Sequence, residues 1–444
     1  MPDKPSISWW SQRIDDRTSR GIALETVALI RSGALPVGTQ LPPVRELAEA
    51  LGVSPATVSG AWGELRRYKA ISGQGRKGTW VSADNVSLHP RRFEVATALG
   101  EHIVADLSIA QPDSRLLPDP ARALAEGLRV PQLNEYERLP ITDTLRRAAR
   151  EHWPYRPEAM LAANGGYEAL LLAFQALIQP GAVAAVEEPT ATRMLDILEF
   201  VGAQVVPIPC DQEGPDPDAL RHALKRKPAA FIHQPRTHAI TGVMLSPARR
   251  NALAKVLENS NTLIIEDDGL GAISAGPAAS LGERFPDRTV HIVSYSKSLG
   301  PDLRVAVLSG SREIVDRIQA VRNFGARWTS RILQGAAAWM LGDADVAITI
   351  AQARKVYADR RSNMIAALRE RSVGTHSRDG LNLWVPVESE QFALLTLTAR
   401  GIAVGPGSRF CVNSGRDHIR IGISRLDSNV EAIADAVALA ARLR

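Results

Sequence analysis

One lysine of this sequence lies among small hydroxyl residues, with an arginine close behind it. Lys297 follows Ser294, Ser296 and an apolar run at residues 289–293 that predicts a strand, and Arg304 comes seven residues later. An amine pinned at the end of a strand suits the formation of an imine with a carbonyl compound. The arginine suits a phosphate held close to that imine, since a guanidinium binds phosphate oxygens in pairs. A polar loop with two surface cations is the alternative interpretation.

Two glycines offer a further place for a phosphate. Gly165 and Gly166 form a turn that opens an apolar helical pattern, with Tyr167 in its first turn. Exposed backbone N–H groups and the helix dipole at such an N-terminus favour an anion. A plain loop is the alternative, because short motifs match by chance.

Three carboxylates and another arginine complete the candidate chemistry. Glu266, Asp267 and Asp268 come just past an apolar run at residues 263–265, which indicates either a ligand site or a solvated acidic loop. Arg420 stands in a strand-like segment and offers a two-pronged donor for a carboxylate, with a surface arginine as the alternative.

The elements that must position these groups follow a regular order. From Asp106 onward, short apolar runs alternate with helical patterns, and four of the runs lie at residues 183–186, 205–208, 229–232 and 263–265. This alternation predicts an α/β domain with a mainly parallel sheet. Helical patterns over residues 331–371 and a strand-like run at 381–385 predict a smaller α/β lobe from about residue 330.

The pattern S-x-S-K-x-x-x-P-x-L-R at residues 294–304 resembles the cofactor-lysine segment of fold-type I pyridoxal 5'-phosphate (PLP) enzymes, the aspartate aminotransferase superfamily. The resemblance implies that PLP is the cofactor and that Lys297 forms an imine with it. It also implies a set of residues that hold the phosphate, namely Ser294, Ser296, Arg304, Gly166 and Tyr167.

The same resemblance assigns two further roles. Asp267 would face the pyridine nitrogen and keep it protonated, a role that Glu266 or Asp268 takes if the register is off by one. Arg420 would bind the carboxylate of an effector.

Three positions depart from the superfamily pattern. Ala191 stands where relatives stack an aromatic side chain on the ring, Ala239 where an asparagine bonds the 3-hydroxyl, and Gly269 where a tyrosine reaches the same oxygen. The missing contacts are each worth on the order of 1 kcal/mol. Covalent attachment and phosphate anchoring still favour PLP binding, but efficient transamination needs the missing groups. We therefore expect a protein that is not an enzyme, with little or no transaminase activity.

The net positive charge of the chain lies in its first fifth. Of 444 residues, the first 92 carry 13 Lys and Arg against 8 Asp and Glu, and the rest carry 40 of each. A small basic segment on a neutral body indicates a polyanionic partner. The cysteines, Cys210 and Cys411, lack metal-ligand spacing, and no apolar run reaches the ~20 residues of a membrane span. A cytoplasmic protein without a metal site or a membrane partner is expected.

The basic segment contains a helix-turn-helix pattern. Helical periodicity covers residues 17–32, and a second helix ends at Gly52. Ser54 is a good cap for a third helix, with Pro55 at its first position. Residues 70–81 then indicate two short strands around a tip rich in glycine and cations, a hairpin wing.

These segments, including L-P-P-x-R-x-L-A and G-x-x-G-T-x-V, resemble the winged helix-turn-helix of the GntR family. The resemblance implies that Ser54 and Thr57 enter the major groove of double-stranded DNA. Phosphate contacts would come from cations, namely Arg45, Arg66, Arg67, Arg76 and Lys77. A solvated helix face is the alternative for each arginine.

A GntR-like domain joined to an aminotransferase-like body is the architecture of the MocR regulators, which the chain resembles over almost its whole length. The expected fold class is multidomain α/β: a winged helix-turn-helix at residues 11–82, a linker at 83–105, and a fold-type I aminotransferase-like domain with large and small lobes at 106–444. The resemblance also implies a homodimer and a DNA operator with two half-sites. The larger domain would sense PLP, or a PLP adduct, through Lys297 and control a gene of vitamin B6 or amino-compound metabolism.

Two other functions stay open. A regulator whose pocket has lost PLP would sense another small molecule, and Ala191, Ala239 and Gly269 motivate that alternative. An active aminotransferase with an accessory domain would turn over an amino donor with a keto acid.

Overall fold

A computed structural model describes residues 5–31, 34–67, 70–73, 78–82, 92, 103–131, 133–136, 139–413 and 417–442. The chain divides into two units near residue 90, and each is described by itself. The predicted linker at residues 83–105 falls almost wholly outside the described residues. None of the described helices combines the length and the apolar character that a membrane crossing requires.

The first unit consists of helices followed by a hairpin. Its helices are α1 (Ile7–Ser11), α2 (Ser19–Arg31), α3 (Val44–Leu51) and α4 (Pro55–Arg67). Strands β1 (Ile71–Gly73) and β2 (Thr79–Val81) pair antiparallel, with Ile71 opposite Val81. The three predicted helices and the predicted wing are therefore confirmed, and the tip of the wing at residues 74–77 lies outside the described residues.

Local chemistry explains the turn between α3 and α4. Gly52 takes a left-handed conformation (φ +66°), and its N–H bonds back to the end of α3. The Ser54 hydroxyl accepts a hydrogen bond from the Thr57 N–H at 3.1 Å, which caps α4, and Pro55 occupies the first helical position. The preceding connector joins the wing, because the Leu41 N–H donates to the Thr79 carbonyl at 2.8 Å.

The core of the first unit begins earlier than the predicted boundary at residue 11. Trp10 on α1 is fully buried and meets Trp62 of α4 edge-on, with 6.1 Å between ring centroids. Leu47, Leu51 and Leu65 complete the same apolar cluster. Each such side chain stabilises the fold by about 1.5–3 kcal/mol on burial.

The second unit has a large, mainly parallel sheet. Its strands are β4 (Ala159–Ala163), β5 (Val183–Glu188), β6 (Gln204–Asp211), β7 (Gly214–Pro215), β8 (Ala230–His233), β9 (Leu263–Asp268), β10 (Thr289–Ser294) and β11 (Ala306–Gly310). They lie in the order β4-β11-β10-β9-β8-β5-β6-β7. Strands β5, β8, β9 and β10 are parallel, whereas β11 runs antiparallel to both neighbours. The predicted parallel sheet is confirmed.

Helices separate these strands along the chain. They are α5 (Pro120–Gly127), α6 (Asp143–Arg150), α7 (Gly166–Leu177), α8 (Thr192–Phe200), α9 (Pro217–Leu224), α10 (Pro247–Leu257), α11 (Arg312–Arg322) and α12 (Arg331–Gly342). The 27-residue helix α13 (Ala344–Glu370) then leads towards the smaller sheet.

A four-stranded sheet forms the smaller lobe. It contains β12 (Asn382–Pro386), β13 (Ile402–Pro406) and β14 (His418–Gly422), with helices α14 (Glu390–Thr398) and α15 (Val430–Ala440). Its order is β12-β14-β13-β3, where β3 is Ala105–Leu107 and runs parallel to β13. The sequence did not predict that residues so early in the chain would join this sheet, because β3 is too short for a periodic pattern.

Candidate functional site

The carboxyl ends of β9 and β10 meet at one edge of the large sheet. The two strands are parallel neighbours, with Ile292 opposite Asp267 and Val293 opposite Asp268. Lys297 follows the end of β10 in a turn. Ligands of open α/β sheets bind at this edge, so the fold brings the predicted lysine and carboxylate to the expected place.

The amine of Lys297 is enclosed by the protein. Its Nζ donates to the Ala110 carbonyl at 2.7 Å. Burial, together with the nearby Arg420 guanidinium, lowers the pKa of Lys297 to about 8, against the opposing effect of Asp267. A larger share of the amine is therefore unprotonated at neutral pH than for an exposed lysine, and the unprotonated amine is the nucleophile.

The three carboxylates lie inside β9, and all are buried, which corrects the expectation that they come past a strand end and excludes a solvated loop. Glu266 accepts from the Leu281 N–H at 2.7 Å and contacts His291 at 2.7 Å. Asp268 binds the Arg236 guanidinium at 2.6 Å. The carboxylates of Glu266 and Asp268 are therefore both bound by other groups of the protein.

Asp267 differs from its two neighbours. Side chains alternate along a strand, so it points to the opposite face from Glu266 and Asp268. Within the described residues, no donor forms a hydrogen bond to its carboxylate. Burial, and then the charge of Asp268, raise the pKa of Asp267 to about 7, although His291 and Lys297 act in the other direction. An unpartnered buried carboxyl of this kind suits a ligand with an N–H group.

Two glycines at the N-terminus of α7 leave a cradle for an anion. Gly165 has φ +96°, and a β-carbon there would come within 2.6 Å of the Arg304 guanidinium. A β-carbon on Gly166 would lie 3.0 Å from Ser294 Cβ. Arg304 donates to the Asn164 carbonyl at 2.7 Å, so its guanidinium is held at the helix N-terminus. The arrangement fits a phosphate, which would meet backbone N–H groups, hydroxyls and a cation together.

Ser294 and Ser296 stand on the β10 side of this cradle. Their hydroxyl oxygens are 3.4 Å apart. Tyr167 follows the glycines in the first turn of α7, and 37% of its surface is exposed. The structure thus places together the five residues that the sequence assigned to a phosphate, whereas their role as phosphate ligands stays a prediction.

Arg420 on β14 closes the site from the smaller lobe. Its guanidinium lies 4.7 Å from the centre of the Phe410 ring and donates to the Ser108 carbonyl. Burial lowers the pKa of Arg420 to about 10. Its Nε is buried and has no hydrogen-bond partner in the described part of the chain, so the group retains a donor for an acidic ligand.

The three departures from the superfamily pattern leave small or absent side chains, and the backbone groups of Ala239 are bound by protein side chains. Asn382 of β12 donates through Nδ2 to the Ala239 carbonyl at 2.6 Å, and Gln234 accepts from the Ala239 N–H. Ala191 is buried. At Gly269 a β-carbon would lie 3.5 Å from the Asp267 carboxylate.

Two histidines beside Glu266 escaped the sequence analysis. His291 Nδ1 lies 2.7 Å and His233 Nε2 3.4 Å from the Glu266 carboxylate. Burial would raise the pKa of Glu266, but the close contacts with His233 and His291 outweigh it and hold that pKa well below its ordinary value. The available signal was that each histidine interrupts a strand of apolar residues.

The first unit carries several of the predicted DNA contacts on its surface. Arg45 on α3, the cap residue Ser54 and Arg66 on α4 are exposed, and Thr57 is half-buried. Ser54 and Thr57 join their hydroxyls at 2.8 Å. The side chain of Arg67, and all of Arg76 and Lys77, lie outside the described residues.

Comparison with known proteins separates the same two parts of the chain. Residues 18–81 match the family described as bacterial regulatory proteins, gntR family, and residues 102–437 match aminotransferase class I and II. The chain is 30% identical over 428 residues to the vitamin B6 salvage pathway transcriptional repressor PtsJ of Salmonella typhimurium, covering 95% of this chain and 98% of the repressor. It is 24% identical over 380 residues to the probable rhizopine catabolism regulatory protein MocR of Rhizobium meliloti, covering 77% and 75%.

A solved structure supports the fold of the larger unit. The α-aminoadipate aminotransferase LysN of Thermus thermophilus, complexed with N-(5'-phosphopyridoxyl)-L-leucine, matches with a TM-score of 0.69 at 24% identity. The match covers 77% of this chain and 93% of LysN. At this identity the likeness concerns the aminotransferase fold alone.

Proposed function

The chain belongs to the MocR-type regulators, which join a gntR-family domain to an aminotransferase class I and II domain, and we propose that it controls transcription in response to PLP. The observation that carries the proposal is the cradle at Gly165, Gly166 and Arg304, which lies in the same site as the Lys297 amine and the unpartnered Asp267. The vitamin B6 role in the name of PtsJ supports PLP as the ligand and a gene of vitamin B6 or amino-compound metabolism as the target.

Each group of the site has a part in holding PLP. The bound cofactor supplies an aldehyde that bonds to an amine and a pyridine ring that accepts electrons. Lys297 offers the amine, and burial keeps a share of it unprotonated. The α7 N-terminus, Ser294, Ser296 and Arg304 hold the phosphate. Asp267 holds the ring nitrogen.

Arg420 suits the acidic group of an amino-compound effector. Its buried Nε has no partner among the described residues. An effector carboxylate would satisfy that donor and gain a charge-assisted hydrogen bond. A PLP adduct with an amino compound would therefore engage both ends of the site, whereas PLP alone would engage one.

We further propose that the site has little or no transaminase activity. Ala191, Ala239 and Gly269 supply no stacking ring and no side-chain bond to the 3-hydroxyl, and the Ala239 backbone groups are taken by Gln234 and Asn382. Efficient transamination requires the ring electronics that such groups tune.

The DNA-binding part of the proposal rests on the exposed groups of the first unit. Arg45 and Arg66 suit phosphates, and Ser54 and Thr57 stand where a recognition helix begins. We propose that the protein is a cytoplasmic homodimer that binds a duplex operator with two half-sites, because a two-fold protein is matched by a two-fold site.

A titration tests the function. Adding PLP to purified protein is expected to produce the visible absorption band of PLP bound to a lysine, and Lys297→Ala is expected to abolish it. The same protein is expected to bind the promoter beside its own gene with an affinity that falls as salt rises. Normal cofactor spectra without any DNA binding contradict the regulatory role.

The missing ring contacts favour one second candidate, a regulator that senses another small molecule. That function is supported if Lys297 is never modified at saturating PLP while salt-sensitive DNA binding persists. A complete half-reaction with an amino acid would instead indicate an active aminotransferase.

A further inference from the structure

A partly exposed aromatic residue, Tyr167, contacts the segment that carries Ala191. Ala191 is buried, with 6% of its surface exposed, and its methyl group offers no ring to a ligand. Tyr167 exposes 37% of its surface, although it lies in the first turn of α7 next to the buried Ala169 and Leu170. A large aromatic side chain in such a place has a face available to a ligand.

Arg193 holds the Tyr167 ring from one side. Its guanidinium carbon lies 4.7 Å from the centre of the ring, a cation–π contact. Arg193 comes two residues after Ala191, at the start of α8. The segment that lacks an aromatic side chain therefore supports one contributed by α7.

Charged groups of the site surround the same tyrosine. Burial, and then the charge of Asp267, raise the pKa of the Tyr167 hydroxyl to about 12, whereas Arg193 and Arg420 act in the other direction. Gly166, the preceding residue, approaches Ser294 so closely that a β-carbon would lie 3.0 Å from Ser294 Cβ. Tyr167 therefore adjoins the anion cradle through Gly166 and lies within range of the charges of Asp267 and Arg420.

We propose that Tyr167, backed by Arg193, supplies the stacking surface for the pyridine ring in place of the aromatic side chain missing at Ala191. This inference rests on the proposed binding of PLP and extends it, because Tyr167 acts through its ring face as well as through its place in the cradle. The contact with Arg193 fixes the tyrosine orientation before the ligand arrives, which reduces the entropy lost on binding.

Three substitutions separate stacking from other roles. Tyr167→Phe keeps the ring and removes the hydroxyl, Tyr167→Leu keeps an apolar side chain without a π face, and Tyr167→Ala removes both. We expect PLP affinity within about twofold of the parent for Tyr167→Phe, and a loss of about three- to tenfold for the other two, since an aromatic pair contributes a free energy of this order. The induced circular dichroism of the bound cofactor is expected to persist in Tyr167→Phe and to weaken in Tyr167→Leu.

Restoring the aromatic side chain gives an independent readout. Adding Ala191→Tyr to Tyr167→Ala is expected to recover part of the lost affinity, provided that circular dichroism in the far ultraviolet shows a folded protein. An equal loss of PLP affinity in Tyr167→Phe and Tyr167→Ala would show that the hydroxyl is the important group and would overturn the inference. Unchanged PLP affinity and induced circular dichroism in Tyr167→Leu would also overturn it.

Failure of the proposed PLP binding looks different. In that case the parent protein itself shows no cofactor band, and Lys297→Ala behaves like the parent. If the parent binds PLP and Arg304→Ala weakens binding, but none of the Tyr167 variants does, PLP binding stands and the stacking role is wrong.

Discussion

Arg304 lies so close to Gly165 that a β-carbon on residue 165 would come within 2.6 Å of its guanidinium. Both residues also have positive φ angles, +49° for Arg304 and +96° for Gly165. The Arg304 guanidinium therefore packs directly against the backbone of Gly165. A side chain at residue 165 would have to displace the Arg304 guanidinium, so this close approach requires glycine.

Gly165→Ala is expected to destroy the cradle. The added methyl group displaces the Arg304 guanidinium, and the positive φ costs a further ~1–2 kcal/mol. We expect PLP affinity, measured by absorbance titration, to fall at least about tenfold. Gly181→Ala is the matched control, because Gly181 has φ +82° but no atom within 4 Å of a β-carbon. Equal PLP affinity in the two variants would contradict the role of the cradle.

Asp267 is expected to make stability depend on pH. Its folded-state pKa of about 7 lies above the ordinary value of 3.8, so between these values the folded protein holds a proton that the unfolded chain releases. Its contribution to the free energy of unfolding therefore falls as pH rises from about 4 to about 7, by at most ~1.4 kcal/mol per pH unit, and is flat above that range. Urea unfolding without PLP at several pH values measures it.

Comparison of variants isolates that carboxyl. Asp267→Asn is expected to remove its share of the slope, whereas Asp287→Asn, at an exposed position of the same unit, is expected to leave the slope unchanged. The same pH profile in the parent and in Asp267→Asn would show that Asp267 titrates normally.

Lys297 is expected to react with PLP at lower pH than an exposed lysine does. The reactive form is the unprotonated amine, and its fraction rises through a pKa of about 8, compared with the ordinary 10.5. The initial rate of band formation, followed from pH 6.5 to 10, is expected to reach half its maximum near pH 8. A midpoint above pH 10 would show that the amine is not enclosed in solution.

The charge of Arg420 contributes to that pKa. Removing it by Arg420→Gln is expected to move the midpoint to higher pH, because a neighbouring cation disfavours the protonated lysine. Arg400→Gln, on the surface of the smaller lobe, serves as the matched control and is expected to leave the midpoint unchanged.

Arg45 and Arg66 are expected to act on DNA through charge. Each substitution to alanine removes about one phosphate contact, so the slope of log affinity against log salt decreases by about 1 per variant. The affinity for the promoter and the affinity for unrelated duplexes are expected to fall equally. A gel-shift or fluorescence titration at several salt concentrations measures both. Arg129→Ala, the control, removes an arginine of the second unit whose side chain is 77% exposed. An equal decrease of the salt slope in this variant would contradict phosphate contacts by Arg45 and Arg66.

Much of the site was predictable because its residues are contiguous or follow a strand. Lys297 and Arg304 belong to one short segment, and the glycines precede a strongly apolar helix. Alternation of side chains along β9 decides which carboxylate is left for a ligand, and the sequence alone left Glu266 and Asp268 open.

Contacts between distant segments were not predictable. Asn382 donates to the Ala239 carbonyl although the two residues are far apart in the chain. Trp10 enters the core of the first unit although it precedes the predicted domain boundary at residue 11. Short pieces such as β3 carry too few residues to reveal a period. Tertiary packing determines such features, and local sequence carries little of it.

Three neighbouring carboxylates on β9 differ in their partners. Glu266 contacts two histidines, Asp268 binds Arg236, and Asp267 has no hydrogen-bond donor among the described residues. In a library of single substitutions sorted by protein abundance, positions 266 and 268 would tolerate little, whereas position 267 would tolerate neutral residues. If the same library is sorted by response to the ligand, substitutions at position 267 are expected to reduce that response. Two carboxylates of this strand therefore stabilise the fold, whereas the third is available to a ligand.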